Sequence, residues 1–181
     1  MTVVNPSTPA QMFHLLRRHM KQSFRKPLIV FTPKSLLRHP QCISHVDDFT
    51  NGGFSELLDD FEVKGNVERV LLCSGKIYYE LIEERTRSEN TDTAIIRVEQ
   101  LYPLRMDLIS KILERYPLAA LVWVQEEPRN MGAWMYLNSV FSEHGFHVHY
   151  VGRDADCCPA VGSHRVHEEQ QRFVISSAFA K

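Results

Sequence analysis

Five runs of aliphatic and β-branched residues recur along this chain, and the stretches between them repeat their apolar residues every three to four positions. The runs Leu28–Thr32, Val67–Ser74, Thr93–Gln100, Leu121–Gln125 and His147–Val151 predict strands. Several are apolar without alternation, as strands covered on both faces must be. Between them, Ile77, Tyr78, Leu81 and Ile82 form one helical stripe, and Ile109, Ile112, Leu113 and Tyr116 another. Trp134, Leu137, Val140 and Phe141 form a third, with Gly145 as its stop. A last helix from about His164 to Phe179 would bury Val166, Gln170, Phe173 and Val174. Strands alternating with helices predict an α/β fold, a three-layer α/β/α sandwich on a mostly parallel five-stranded sheet.

Residues 1–27 differ in character and read as a helical arm, the tail of a preceding domain, with 28–181 as the domain proper. Ser7 or Thr8 is placed to cap a helix that has Pro9 in its first turn. Met12, Leu15, Leu16 and Met20 then make an apolar stripe that nothing upstream covers, so they are expected at an interface.

The bulk properties narrow the class further. A chain of 181 residues with a formal charge of −1 offers no global field for nucleic acid or acidic membranes. No apolar run approaches the roughly 18 residues a membrane span needs, and no signal-peptide core opens the chain. These features predict a cytoplasmic or mitochondrial-matrix setting, without nucleic-acid or membrane partners. The cysteines Cys42, Cys73, Cys157 and Cys158 do not read as a disulfide framework. Cys157 and Cys158 precede His164 and His167, but the Cys-x2-Cys spacing of strong zinc motifs is missing, so no metal site is expected.

Longer motifs then carry a resemblance. The run from Arg25 to Pro40, Arg-Lys-Pro-Leu-Ile-Val-Phe-Thr-Pro-Lys-Ser-Leu-Leu-Arg-His-Pro, resembles a segment of the decarboxylating component of 2-oxoglutarate dehydrogenase. Cys73-Ser74-Gly75-Lys76-Ile77-Tyr78-Tyr79, Arg97-Val98-Glu99-Gln100-Leu101-Tyr102-Pro103 and Trp123-Val124-Gln125-Glu126-Glu127-Pro128 follow in family order. Gly152-Arg153 and Pro159-Ala160-Val161-Gly162 complete the series, and Pro6-Ser7-Thr8-Pro9-Ala10 resembles the end of the family's preceding domain. The resemblance implies a transketolase C-terminal-domain-like fold. It also implies the family reaction of the tricarboxylic acid cycle: 2-oxoglutarate is decarboxylated on thiamine diphosphate with Mg2+, and the succinyl group passes to lipoate on dihydrolipoyl succinyltransferase. The remainder of the same enzyme and a second subunit of a homodimer would be the other partners. The relative acting on 2-oxoadipate shares much of this motif set. The Gly-Asp-Gly that holds Mg–diphosphate in such enzymes does not occur in the chain, so it is expected to lack cofactors and catalytic residues and to be inert alone.

Individual sites remain open between two readings. Ser74, Gly75 and Lys76, where a strand meets a helix, with Arg153 in a later loop, can hold an anion or an effector such as a nucleotide or acyl-CoA. The same turn equally suits a glycine that permits close packing. Glu126 and Glu127, at a strand's carboxyl end, read either as acid–base residues or as an interface contact, with Arg153 as a partner. Asn130 would cap the helix that follows.

Overall fold

A computed structural model of the chain describes residues 1–63 and 65–180. Its elements begin with strand β1 (Thr2–Val4), helix α1 (Pro9–Lys21) and strand β2 (Leu28–Val30). A 3-10 turn at Lys34–Arg38, the short helix α2 (Val46–Thr50) and strand β3 (Leu57–Leu58) follow. Then come β4 (Arg69–Cys73), α3 (Ile77–Arg87), β5 (Thr93–Val98), β6 (Gln100–Tyr102) and α4 (Met106–Leu113). The chain closes with β7 (Ala120–Pro128), α5 (Trp134–Glu143), β8 (Val148–Arg153) and α6 (His164–Phe179).

The main sheet has the order β3-β5-β4-β7-β8. Its last four strands are parallel, and β3 pairs antiparallel with β5 at the edge. Because successive side chains point to opposite faces, β4 sends Val70 and Leu72 into one core and Leu71 and Cys73 into the other. The first core lies under α4 and α5, through Ile109, Leu113, Trp134, Leu137 and Phe141. The second lies under α3 and α6, through Ile77, Leu81, Val174, Ile175 and Ala178. This is why the strands read as continuously apolar, and the three-layer sandwich stands as expected. Gly145 ends α5 with φ +78, donating its N–H to Ser142 O, as a helix-stopping glycine does.

Several sequence expectations need correction. Leu28–Thr32 does not supply the fifth strand of the main sheet. Only Leu28–Val30 is extended, and it runs parallel to β1 in a separate sheet of order β2-β1-β6. The fifth strand is the two-residue β3, too short for any period to register. Nor is Thr93–Gln100 one strand. It breaks at Glu99, where the N–H groups of Glu99 and Gln100 both donate to Glu56 O and the chain steps from one sheet to the other.

The α1 stripe is also only partly uncovered. Leu15 is wholly buried and Met12 half-buried, whereas Leu16 and Met20 are 51% and 70% exposed. Thr8, rather than Ser7, is the cap, accepting from Gln11 N at 3.2 Å. In α6 the buried face is Val174, Ile175 and Ala178, while Phe173 is 65% exposed and Val166 and Gln170 are half-buried. Val174 is buried as expected, and the other fully packed residues of that helix, Ile175 and Ala178, lie in its carboxyl half.

Candidate functional site

The carboxyl ends of β4 and β7 open onto a cleft of about 830 Å3 between the two sheets. Asn5, Phe31, Ser74, Leu101, Tyr102, Trp123, Gln125, Glu126, Met131 and Tyr136 are among its walls. Crevices of open parallel sheets form at such ends, outside the strand termini. Gly75 makes the junction possible. It turns out of β4 with φ +74, and a Cβ there would overlap the Asn5 side-chain amide. Asn5 is itself fixed by its N–H donating to Glu99 O at 2.8 Å. Of the two readings of the Ser74-Gly75-Lys76 turn, close packing therefore has a named partner. Asn5 Oδ1 and Ser74 Oγ, both in residues that line the cleft, have no hydrogen-bond partner among the described residues.

Gln125 organises the opposite wall. Its Oε1 accepts from Trp123 Nε1 at 2.9 Å and from Trp134 N at 3.0 Å. Its Nε2 donates to Met131 O at 2.8 Å and reaches the carbonyls of Glu127 and Pro128 at 3.2 Å. One buried amide thus ties the end of β7 to the start of α5. Asn130 does not cap that helix, whose first flanking residue is Ala133. It exchanges two hydrogen bonds with the backbone of Asp156 instead, at 2.9 and 3.1 Å.

Lys76 and Glu126 meet directly, and Lys76 also reaches Glu80 at 3.4 Å. Gln171 of α6 donates to Glu80 at 2.8 Å and to Glu126 at 3.0 Å, closing a polar ring over the end of the sheet. Burial raises the Glu126 carboxyl above the usual carboxylate range, and Lys76 pulls it back down. Burial pulls the Lys76 ammonium down, but Glu126 and Glu80 outweigh it, so the ammonium ends above its ordinary value. The charge expected to hold an anion is thus shared by two carboxylates. Arg153 joins neither this ring nor the glutamates. Its guanidinium donates to Pro159 O at 3.0 Å and lies 3.7 Å from Asp156. Glu127 offers its carbonyl to Tyr150 Oη at 3.2 Å, and its side chain is exposed.

A second polar centre was hidden in the sequence. Glu99 is fully buried and accepts from Ser7 N at 2.9 Å, Ser7 Oγ at 2.5 Å and Gln11 Nε2 at 3.4 Å. Arg97 donates to Ser7 Oγ at 2.9 Å, and Tyr79 Oη donates to Ser7 O at 2.6 Å. Burial drives the Glu99 carboxyl upward, against the hydrogen bonds from Ser7 and the charge of Arg97. A charged residue inside the apolar run Thr93–Gln100 was the signal for this centre. Gln125, an uncharged amide closing Leu121–Gln125, was a similar polar signal for the other.

The comparisons attach this geometry to known proteins. Residues 43–179 match the family model described as 2-oxoglutarate dehydrogenase C-terminal, and residues 1–40 match that of the transketolase pyrimidine-binding domain. The chain belongs to the 2-oxoglutarate dehydrogenase family. It is 46% identical to a 2-oxoglutarate dehydrogenase E1 component of Cupriavidus necator, over 100% of this chain and 20% of that protein. It is 40% identical to the mitochondrial 2-oxoglutarate dehydrogenase of Dictyostelium discoideum, over 98% of this chain and 19% of that protein. The chain therefore spans about a fifth of the length of these curated relatives. Among solved structures, a split-gene transketolase in the form of an inactive β4 tetramer superposes with TM-score 0.66 at 15% identity, covering 98% of this chain and 56% of that one. That likeness supports the transketolase C-terminal fold. Ser7 and Gln11 fall in the segment matched to the pyrimidine-binding model and Glu99 in the family's C-terminal domain, so the buried centre joins the two matched segments.

Mg2+ demands hard oxygen ligands in octahedral array. Among the described residues the one group of three or more His, Cys, Asp or Glu donors close enough for a metal is Asp156, Cys157 and Cys158, an exposed set of one carboxylate and two soft thiols. No helix among them is long and apolar enough to cross a membrane.

Proposed function

We propose that the chain serves as the C-terminal domain of an E1 component that decarboxylates 2-oxoglutarate on thiamine diphosphate with Mg2+ and passes the succinyl group to lipoate on dihydrolipoyl succinyltransferase. Its task is to fix architecture, and the chemistry belongs to the rest of the subunit and to the partner subunit of a homodimer. The centre formed by Ser7, Glu99 and Arg97 carries this reading. A fully buried carboxylate held from the pyrimidine-matched segment is a rigid joint between segments, and it leaves no lone pair facing a substrate. The exposed residues Leu16, Met20, Phe31, Leu37 and Ile43 support it, since residues 1–43 show water an apolar surface that a larger subunit would cover. With bacterial and mitochondrial proteins among the relatives, the setting we propose is the bacterial cytoplasm or the mitochondrial matrix.

Calorimetry of the chain with thiamine diphosphate and Mg2+ tests the division of labour. No heat of binding is expected at micromolar to millimolar cofactor, because the donor set suits neither the ion nor the diphosphate. A saturable isotherm in the micromolar range would assign cofactor binding to this part of the enzyme and overturn the proposal.

A further inference from the structure

The loop after β8 brings together three donors that the function above leaves unused. Cys157 Sγ and Cys158 Sγ stand 3.8 Å apart, both exposed, and the ligand atoms of Asp156, Cys157 and Cys158 all lie within 4.8 Å of one another. Two thiolates on one tetrahedral ion, each at about 2.3 Å, are separated by roughly 3.8 Å, so the sulfurs already have the bite of a chelate. The backbone that carries them is held. Asn130 exchanges two hydrogen bonds with Asp156, and Arg153 grips Pro159 O on the far side of the pair. Within the loop, Cys158 N donates to Asp156 Oδ1 at 3.0 Å, which turns that carboxylate toward the cysteines. The third donor is thus the residue immediately before the pair, and neither His164 nor His167 belongs to the group.

We propose that Asp156, Cys157 and Cys158 bind one thiophilic divalent cation of the zinc and cadmium class, with solvent completing the coordination. Binding converts two thiols to thiolates and releases two protons to the buffer. The other cysteines do not compete: Cys73 is fully buried, and Cys42 gives its thiol to Ser7 O at 3.3 Å. The site lies on the loop whose Pro159 forms part of the cleft wall, so an ion there would stiffen that wall.

The test is a titration of the fully reduced chain with Cd2+ in the absence of oxygen, read by the ultraviolet thiolate-to-cadmium charge-transfer band. The band should saturate at one ion per chain, and Zn2+ should bleach it by competition. Cys157→Ser and Cys158→Ser should each weaken binding by roughly tenfold or more, Asp156→Asn should weaken it less, and Cys42→Ser should leave it unchanged. All the altered residues except Cys42 are exposed, so their variants should keep the circular dichroism of the parent. Three results would overturn the proposal: no band at micromolar Cd2+, a band of equal affinity in the Cys157→Ser/Cys158→Ser double variant, or saturation at one ion per two chains.

Discussion

Two residues fix how the small sheet sits on the large one, and each makes a measurable claim. Glu99 accepts hydrogen bonds from Ser7 and Gln11 with no exposure to water. Glu99→Ala would strand those donors in the interior and should cost about 3 kcal/mol in urea unfolding. Burial holds this carboxyl above the ordinary range, so the folded chain keeps its proton at a pH where the unfolded chain has lost it. The resulting stability is complete below the ordinary carboxylate value and is lost as the pH rises through the raised one. Glu99→Gln should remove that slope and retain most of the packing; a parent chain whose stability rises over the same window would contradict the assignment. Gly75 is the second residue. Gly75→Ala must accept φ +74 and push aside the Asn5 amide, which should cost about 1–3 kcal/mol. Adding Asn5→Ala should recover the steric part and leave the backbone part.

Among the elements, α6 shows most clearly what a sequence can and cannot give. Its existence and bounds follow from the run His164 to Phe179, but its buried face does not. A full-length stripe predicted Val166, Gln170, Phe173 and Val174, of which only Val174 is buried, and its buried companions are Ile175 and Ala178 in the second half. Val174→Ala should therefore cost about 1–2 kcal/mol and Phe173→Ser less than about 0.5 kcal/mol in thermal unfolding, and the reverse order would place Phe173 in the core. Three of the four parallel strands, β4, β5 and β7, were legible because burial on both faces writes itself as apolar runs, whereas the edge strand β8 has a single buried residue, Val148. The edge strand Leu57–Leu58 was not legible, since two residues carry no period. The small sheet was missed because its central strand, Thr2–Val4, is three residues long and its outer strand Leu28–Val30 has the composition of a core strand. Of the candidate site, the position of the turn at Gly75 and the pair of glutamates on β7 could be read in advance. Which charge meets which could not. Lys76 finds Glu126 across fifty positions, and Arg153, nearer to Glu126 in sequence, turns to Pro159.

At the scale of the whole molecule, two matched segments of different parentage share one buried polar joint and present an apolar surface to water. The chain spans about a fifth of its relatives' length and matches two family models end to end, which is the basis for proposing it as a completing part. The central claim is that this part completes an E1 component. It is tested most directly by adding the chain to a Cupriavidus necator 2-oxoglutarate dehydrogenase E1 component truncated before the matching region, with thiamine diphosphate and Mg2+ present. The measured quantity is 2-oxoglutarate-dependent reduction of an artificial electron acceptor. Activity absent from either piece alone should appear on mixing and saturate at one chain per truncated subunit, and Glu99→Ala should weaken it. Full activity of the truncated protein alone, or no activity in a mixture that demonstrably forms a complex, would contradict the account.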